Sequence, residues 1–157
     1  MKVKLEDFKV CVLHNGVTSN TADQSCTEID IGTCRRGILL IDCIPEDATS
    51  DLSDVFLTTD KEATLTASDD VVPLTQGIYY LDSAPTAPVA LTIASDAAAA
   101  YVFQGIEYGA TYMIQCENLE RYVQMWYDGK GTTIDFTAIL LAYDGQESPQ
   151  AAARSAY

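Results

Sequence analysis

Apolar and polar residues alternate strongly between Glu120 and Tyr143. In the run Arg121–Tyr127, the side chains of Val123, Met125 and Tyr127 share one face, and Tyr122, Gln124 and Trp126 share the other, because a strand sends successive side chains to opposite sides. In the following run, Ile134, Phe136, Ala138 and Leu140 make an apolar face against Asp135 and Thr137. The glycine-bearing segment Asp128-Gly129-Lys130-Gly131 separates the two runs, so the pattern predicts a β-hairpin that gives its apolar faces to a core.

Other strand signals recur along the chain. Lys9–Leu13 is a short apolar run that His14-Asn15-Gly16 is expected to end as a turn, and Thr18–Cys26 reads as polar and turn-rich. Thr27–Ile31 alternates. Arg36–Ile44 is continuous enough for a buried central strand stopped by Pro45, and Val55–Thr59 and Ala63–Ala67 alternate again. Val71–Leu74 reads as an edge or turn around Pro73; Gly77–Leu81, Val89–Ile93, Ala100–Phe103 and Thr111–Cys116 complete the strand set. Ala97–Ala100 has high helix propensity but is too short to nucleate a helix alone. The pattern predicts an all-β fold, an antiparallel β-sandwich or jelly-roll-like barrel of about nine to eleven short strands. Residues 1–143 are expected to form this single domain, and residues 144–157, which lack strand periodicity, a loose C-terminal arm.

Composition narrows the function classes. A chain of 157 residues fits one domain and buries roughly 68–70% of its unfolded surface on folding, enough for a core without a metal or disulfide staple. With 23 acidic and 9 basic residues its formal net charge is −14, which opposes binding to a phosphate backbone or an anionic membrane. No apolar run near the N-terminus has signal-peptide form and none approaches the ~20 residues of a membrane helix, so the expectation is a soluble product made in the cytoplasm. The five cysteines include no C-x-x-C pair and read as reduced, packed thiols. A zinc site from Cys26, Cys34 and Cys43 is the alternative, although their spacing matches no usual knuckle.

Candidate chemistry is sparse. His14 is the only histidine, and Cys11 precedes it by three, a spacing that sends the two to opposite faces of a regular strand and so opposes a Cys–His nucleophile pair. The acid pairs Glu46-Asp47, Asp51 with Asp54, and Asp69-Asp70 are expected in loops as solvated surface, with a bound calcium ion or a glycosidase pair as the sharper alternatives. Phosphate-binding, nucleophile-elbow and dinucleotide motifs are missing from the sequence, which therefore reads as noncatalytic and cofactor-free. Nine tyrosines, among them Tyr79, Tyr80, Tyr112 and Tyr122, suit the rim of a sandwich core, a protein interface or a sugar platform.

The segment Arg121–Tyr127, its glycine-containing turn and the run Thr132–Leu141 resemble the closing hairpin of the small capsid decoration (cement) proteins of tailed bacteriophages. Ile29–Gly32, Arg36–Asp42 and Val55–Asp60 resemble the opening strands of the same family. The resemblance implies a noncatalytic jelly-roll-like virion protein, usually a homotrimer, that sits on the capsid exterior, binds the major capsid protein and stabilises the shell. A tail or fibre component and a carbohydrate- or receptor-binding sandwich are the other readings. Tyr122 and Trp126 on the hairpin's second face, and Arg154 and Tyr157 on the arm, are the candidate interface residues, since aromatics and arginine dominate interface hot spots.

Overall fold

The structure, a computed structural model, describes residues 8–19, 24–44, 51–72, 74–81, 89–90, 103–106, 109–130 and 133–143. Among them no helix occurs. The strands are β1 (Lys9–Ser19), β2 (Gln24–Ser25), β3 (Ile29–Asp30), β4 (Arg36–Ile44), β5 (Asp51–Asp60), β6 (Asp70–Val71), β7 (Leu74–Leu81), β8 (Val89–Ala90), β9 (Phe103–Ile106), β10 (Ala110–Glu117), β11 (Tyr122–Lys130) and β12 (Thr133–Tyr143). They form two antiparallel sheets. The larger runs β1-β12-β4-β10-β7-β8, and the smaller is centred on the pair β11–β5. In the smaller sheet β2 and β3 share the free edge of β11, and β6 and β9 share that of β5. Counted as lanes this gives six strands over four, within the expected range, and the all-β sandwich holds.

Alternation builds the core. On the larger sheet Leu39 and Ile41 of β4, Tyr112 and Ile114 of β10, and Phe136 and Leu140 of β12 point inward and are fully buried. Val55 and Leu57 of β5 and Val123 and Met125 of β11 meet them from the smaller sheet. Gly37 on β4 leaves room that Leu140 and Leu119 fill, since a Cβ there would lie 2.7 Å from one Cδ1 and 3.3 Å from the other. Thr59 is buried with its hydroxyl satisfied twice, accepting from the Glu120 amide at 2.7 Å and donating to the Tyr122 carbonyl at 3.0 Å.

Several sequence expectations are corrected. The segment Glu120–Tyr143 is not a hairpin: β11 pairs with β5, β2 and β3, whereas β12 pairs with β1 and β4 in the opposite sheet. The two strands thus belong to different sheets and both still face inward, so alternation cannot tell the two arrangements apart. His14-Asn15-Gly16 is not a turn either. Strand β1 runs through it with a bulge between Val12 and His14, and Gly16, at φ +122°, takes a backbone conformation within the strand that a Cβ would disfavour. Asp51 and Asp54 belong to β5, paired with Lys130 and Asp128, rather than to a loop. Ala63–Ala67 is a bend, in which Thr64 has φ +80° and its amide and that of Leu65 donate to Glu28 Oε2 at 2.8 and 2.7 Å. The helix-prone Ala97–Ala100 and the C-terminal arm lie outside the described residues.

Candidate functional site

The bulge in β1 alters the geometry on which the Cys11–His14 argument rested. By inserting one residue it turns His14 inward, on the same side as Cys11 and Leu13. The two groups are nonetheless spent elsewhere. His14 stacks on Phe136 with ring centroids 4.1 Å apart, and its Nε2 lies 3.0 Å from the Gly16 carbonyl. The Cys11 thiol donates to the Lys9 carbonyl at 3.8 Å, and burial raises its pKa, the direction opposite to nucleophile activation. Burial likewise pushes the Cys26 and Cys116 thiols up to about 12. All five cysteines are free thiols, with Cys34 alone half-buried and the others buried. Among the described residues no group of three or more His, Cys, Asp or Glu side chains is placed to hold a metal ion. Asp69 is occupied locally, its carboxylate accepting from the Thr66 amide.

The candidate interface residues divide. Tyr122 and Trp126 lie half-buried on the outer side of the smaller sheet. Trp126 packs parallel to Phe56 at 6.3 Å and donates from Nε1 to Thr58 Oγ1 at 2.8 Å; between them Gln124 donates from Nε2 to the Cys26 carbonyl at 2.9 Å. Much of this second face is therefore engaged within the sandwich. Tyr122 keeps a charged neighbour, the Arg121 guanidinium 5.1 Å from its ring centroid. Arg154 and Tyr157 lie outside the described residues.

Beside Tyr122, an open cavity of about 650 Å³ gathers Lys9, Arg35, Lys61 and Arg121, four of the chain's nine basic residues, around Asp30 and Glu120. The loops that end β3, β5 and β10 bring them to the start of β1. Arg121 clamps Asp30 with Nε and Nη2 at 3.1 and 2.9 Å, and the Gly32 amide donates to the same carboxylate at 2.8 Å. These contacts hold the Asp30 carboxyl below the usual carboxylate range, the Arg121 hydrogen bonds most of all. Neither the composition nor the strand pattern signals this cluster, because its members come from loops far apart in sequence.

A further feature among the described residues is apolar, and the strand pattern alone does not signal it. On the outer side of the larger sheet, Val12, Ile139, Leu40, Met113, Ile78 and Ala90 stand in register, one on each of its six strands. A second row runs Val10, Leu141 and Ile38 and continues into the polar, exposed Gln115 and Gln76, and Phe8 meets Tyr143 edge-on at 5.5 Å in a third. Val12 is 52% exposed, Val10 56% and Met113 37%. No charged residue interrupts the first two rows; Arg36 and Asp42 border them at opposite ends of β4. Isolated apolar side chains at a surface need no explanation, whereas apolar residues in register across adjacent strands form a patch that does.

Comparison of the chain with protein-family models, with curated proteins and with solved structures found no match.

Proposed function

We propose that this chain is a noncatalytic virion structural protein, a capsid decoration protein that binds the outside of a phage head through the major capsid protein and stabilises the shell. The observation that carries the reading is the apolar outer face of the larger sheet, where Val10, Val12 and Met113 are exposed on a rigid antiparallel scaffold. A surface of that kind serves protein partners, and a protein that presents such a docking face works by binding rather than by transforming a small molecule. The sequence resemblance of Ile29–Gly32, Arg36–Asp42 and Val55–Asp60, which carry strands β3, β4 and β5, to the opening strands of the decoration proteins supplies the kind of assembly.

The mechanism is interface thermodynamics. A protein that binds only the assembled lattice stabilises it by mass action. The smaller sheet, with Tyr122 and Trp126 on its outer side, faces away from the apolar rows and is the side assigned to the shell, together with Arg154 and Tyr157. The test is copurification with DNA-filled particles at a fixed stoichiometry, followed by alanine substitution of those four residues. Absence of the chain from purified particles overturns the function. Unchanged particle binding by the alanine variants overturns the assignment of the side.

A further inference from the structure

We infer that the outer face of the six-stranded sheet seats a second copy of this chain, face to face about a two-fold axis. The inference rests on the reading of the protein as one that works by docking on protein, and it names the partner of one particular face. The area fits. Five strands, β1, β12, β4, β10 and β7, at ~4.8 Å spacing and about four outward rows at ~6.8 Å span roughly 24 by 27 Å, or about 650 Å², apolar at the centre and polar at Gln115, Gln76, Thr111 and Thr137, which falls within the ~600–1,000 Å² that each partner gives to an interface of standard size. The sequence of the strand that crosses the face's centre points the same way. Arg36–Ile44 reads as a continuous apolar run, the form of a strand covered on both sides, yet within the described fold only its odd-numbered positions are buried and Ile38 and Leu40 look outward.

Charge selects the occupant and its orientation. A chain of net charge −14 repels its own copies wherever acidic surfaces meet, and the first two rows of this face carry no charge. Arg36, with Glu117 beside it on β10, and Asp42 stand on its outward side, the two β4 charges six positions and about 20 Å apart. A two-fold axis lying between the sheets and crossing β4 at right angles inverts the strand end for end. It places Arg36 of each copy over Asp42 of the other and Ile38 over Leu40. Two opposite-charge contacts then flank an apolar centre, and the contact closes on itself as an isologous dimer.

The experiment uses the full chain, free of particles, in sedimentation equilibrium and light scattering up to about 100 µM, a range that detects weak dimers. The expected mass is twice the 17.0 kDa of one chain. Because repulsion between like-charged copies is screened and apolar association is not, dimerisation strengthens as salt is raised. V12K and M113K, at exposed positions that leave circular dichroism and Tm unchanged, each weaken it by about tenfold or more. R36D and D42R each weaken it, and the double swap R36D/D42R restores it. A monomer throughout the range, or lysine variants that still dimerise, overturns the inference; a trimer overturns the two-fold arrangement, and a double swap that fails to restore association overturns the register. A chain that dimerises but is absent from purified particles overturns the proposed function and leaves the dimer standing.

Discussion

Truncation of Phe136 tests how the two sheets are joined. Phe136 is fully buried on β12; His14 of β1 stacks on it at 4.1 Å and 18°, and Tyr127 of β11 meets it edge-on at 5.0 Å and 75°. The three rings link the edge strand and its neighbour to the opposite sheet. Phe136→Ala removes the ring and opens a cavity, at a cost of about 3–5 kcal/mol for a buried phenylalanine. Phe136→Leu keeps most of the volume and loses the two ring pairs, which are worth about 0.5–1.5 kcal/mol each, so it should cost about 1–3 kcal/mol. Against a typical domain stability of about 5–15 kcal/mol the alanine change is severe, with an expected fall in Tm of about 6–20 °C for a chain of this size. Urea unfolding read by the single tryptophan, Trp126, measures both variants, with an unchanged slope required for the comparison. If the leucine variant loses as much as the alanine variant, the rings contribute no more than filled volume. If the alanine variant loses less than about 1 kcal/mol, the rings are not packed as described.

Four further outcomes follow from particular contacts. Gly37→Ala puts a methyl 2.7 Å from Leu140 Cδ1 in a fully packed site and should destabilise by about 1–3 kcal/mol in the same urea assay. Trp126→Phe keeps the contact with Phe56 but leaves the buried Thr58 hydroxyl without its indole donor, at a cost of about 1–3 kcal/mol, which Trp126→Phe combined with Thr58→Val should largely recover. Alkylation of the native protein at pH 8 should modify Cys34 first and spare Cys26 and Cys116, whose thiols stay protonated; early labelling of Cys116 would contradict its burial. Asp30 should titrate below the ordinary carboxylate range by NMR and return to it in Arg121→Gln. Because its folded pKa is depressed, the stabilisation from this contact is complete above the unfolded value of about 3.9 and is lost as pH falls through the lower folded one.

The alternation of Val123–Tyr127 and Phe136–Leu140 made the core strands legible, since the residues read as inward are the ones found buried. It did not say which strand lies beside which. A hairpin and a crossing between sheets present the same inward residues, and the pairing of β12 with β1 and β4 depends on contacts 91 to 133 positions apart in sequence. His14-Asn15-Gly16 misled for a related reason, because a bulge uses the turn-forming residue types while the strand continues. The basic cavity was illegible outright: Lys9, Arg35, Lys61 and Arg121 have no common period and meet only because loops converge.

The two outer surfaces of the sandwich explain why one part of the chain alternates and another does not. On β11 the outward residues are Tyr122, Gln124 and Trp126, whose polar groups suit an outer surface, and Gln124 and Trp126 donate hydrogen bonds to the sandwich itself. On β4 the outward residues are Arg36, Ile38, Leu40 and Asp42, and on β12 they include Ile139 and Leu141. A strand of an antiparallel sandwich that faced only water would carry polar residues at those positions. The outward Ile38 and Leu40 of Arg36–Ile44 are apolar positions that the chain's own second sheet does not cover. Lysine at Val12 or Met113 separates two kinds of cover. If another protein covers the face, the substitution weakens association and leaves the isolated fold as stable as before. If the chain covers itself, the same substitution lowers Tm at every protein concentration.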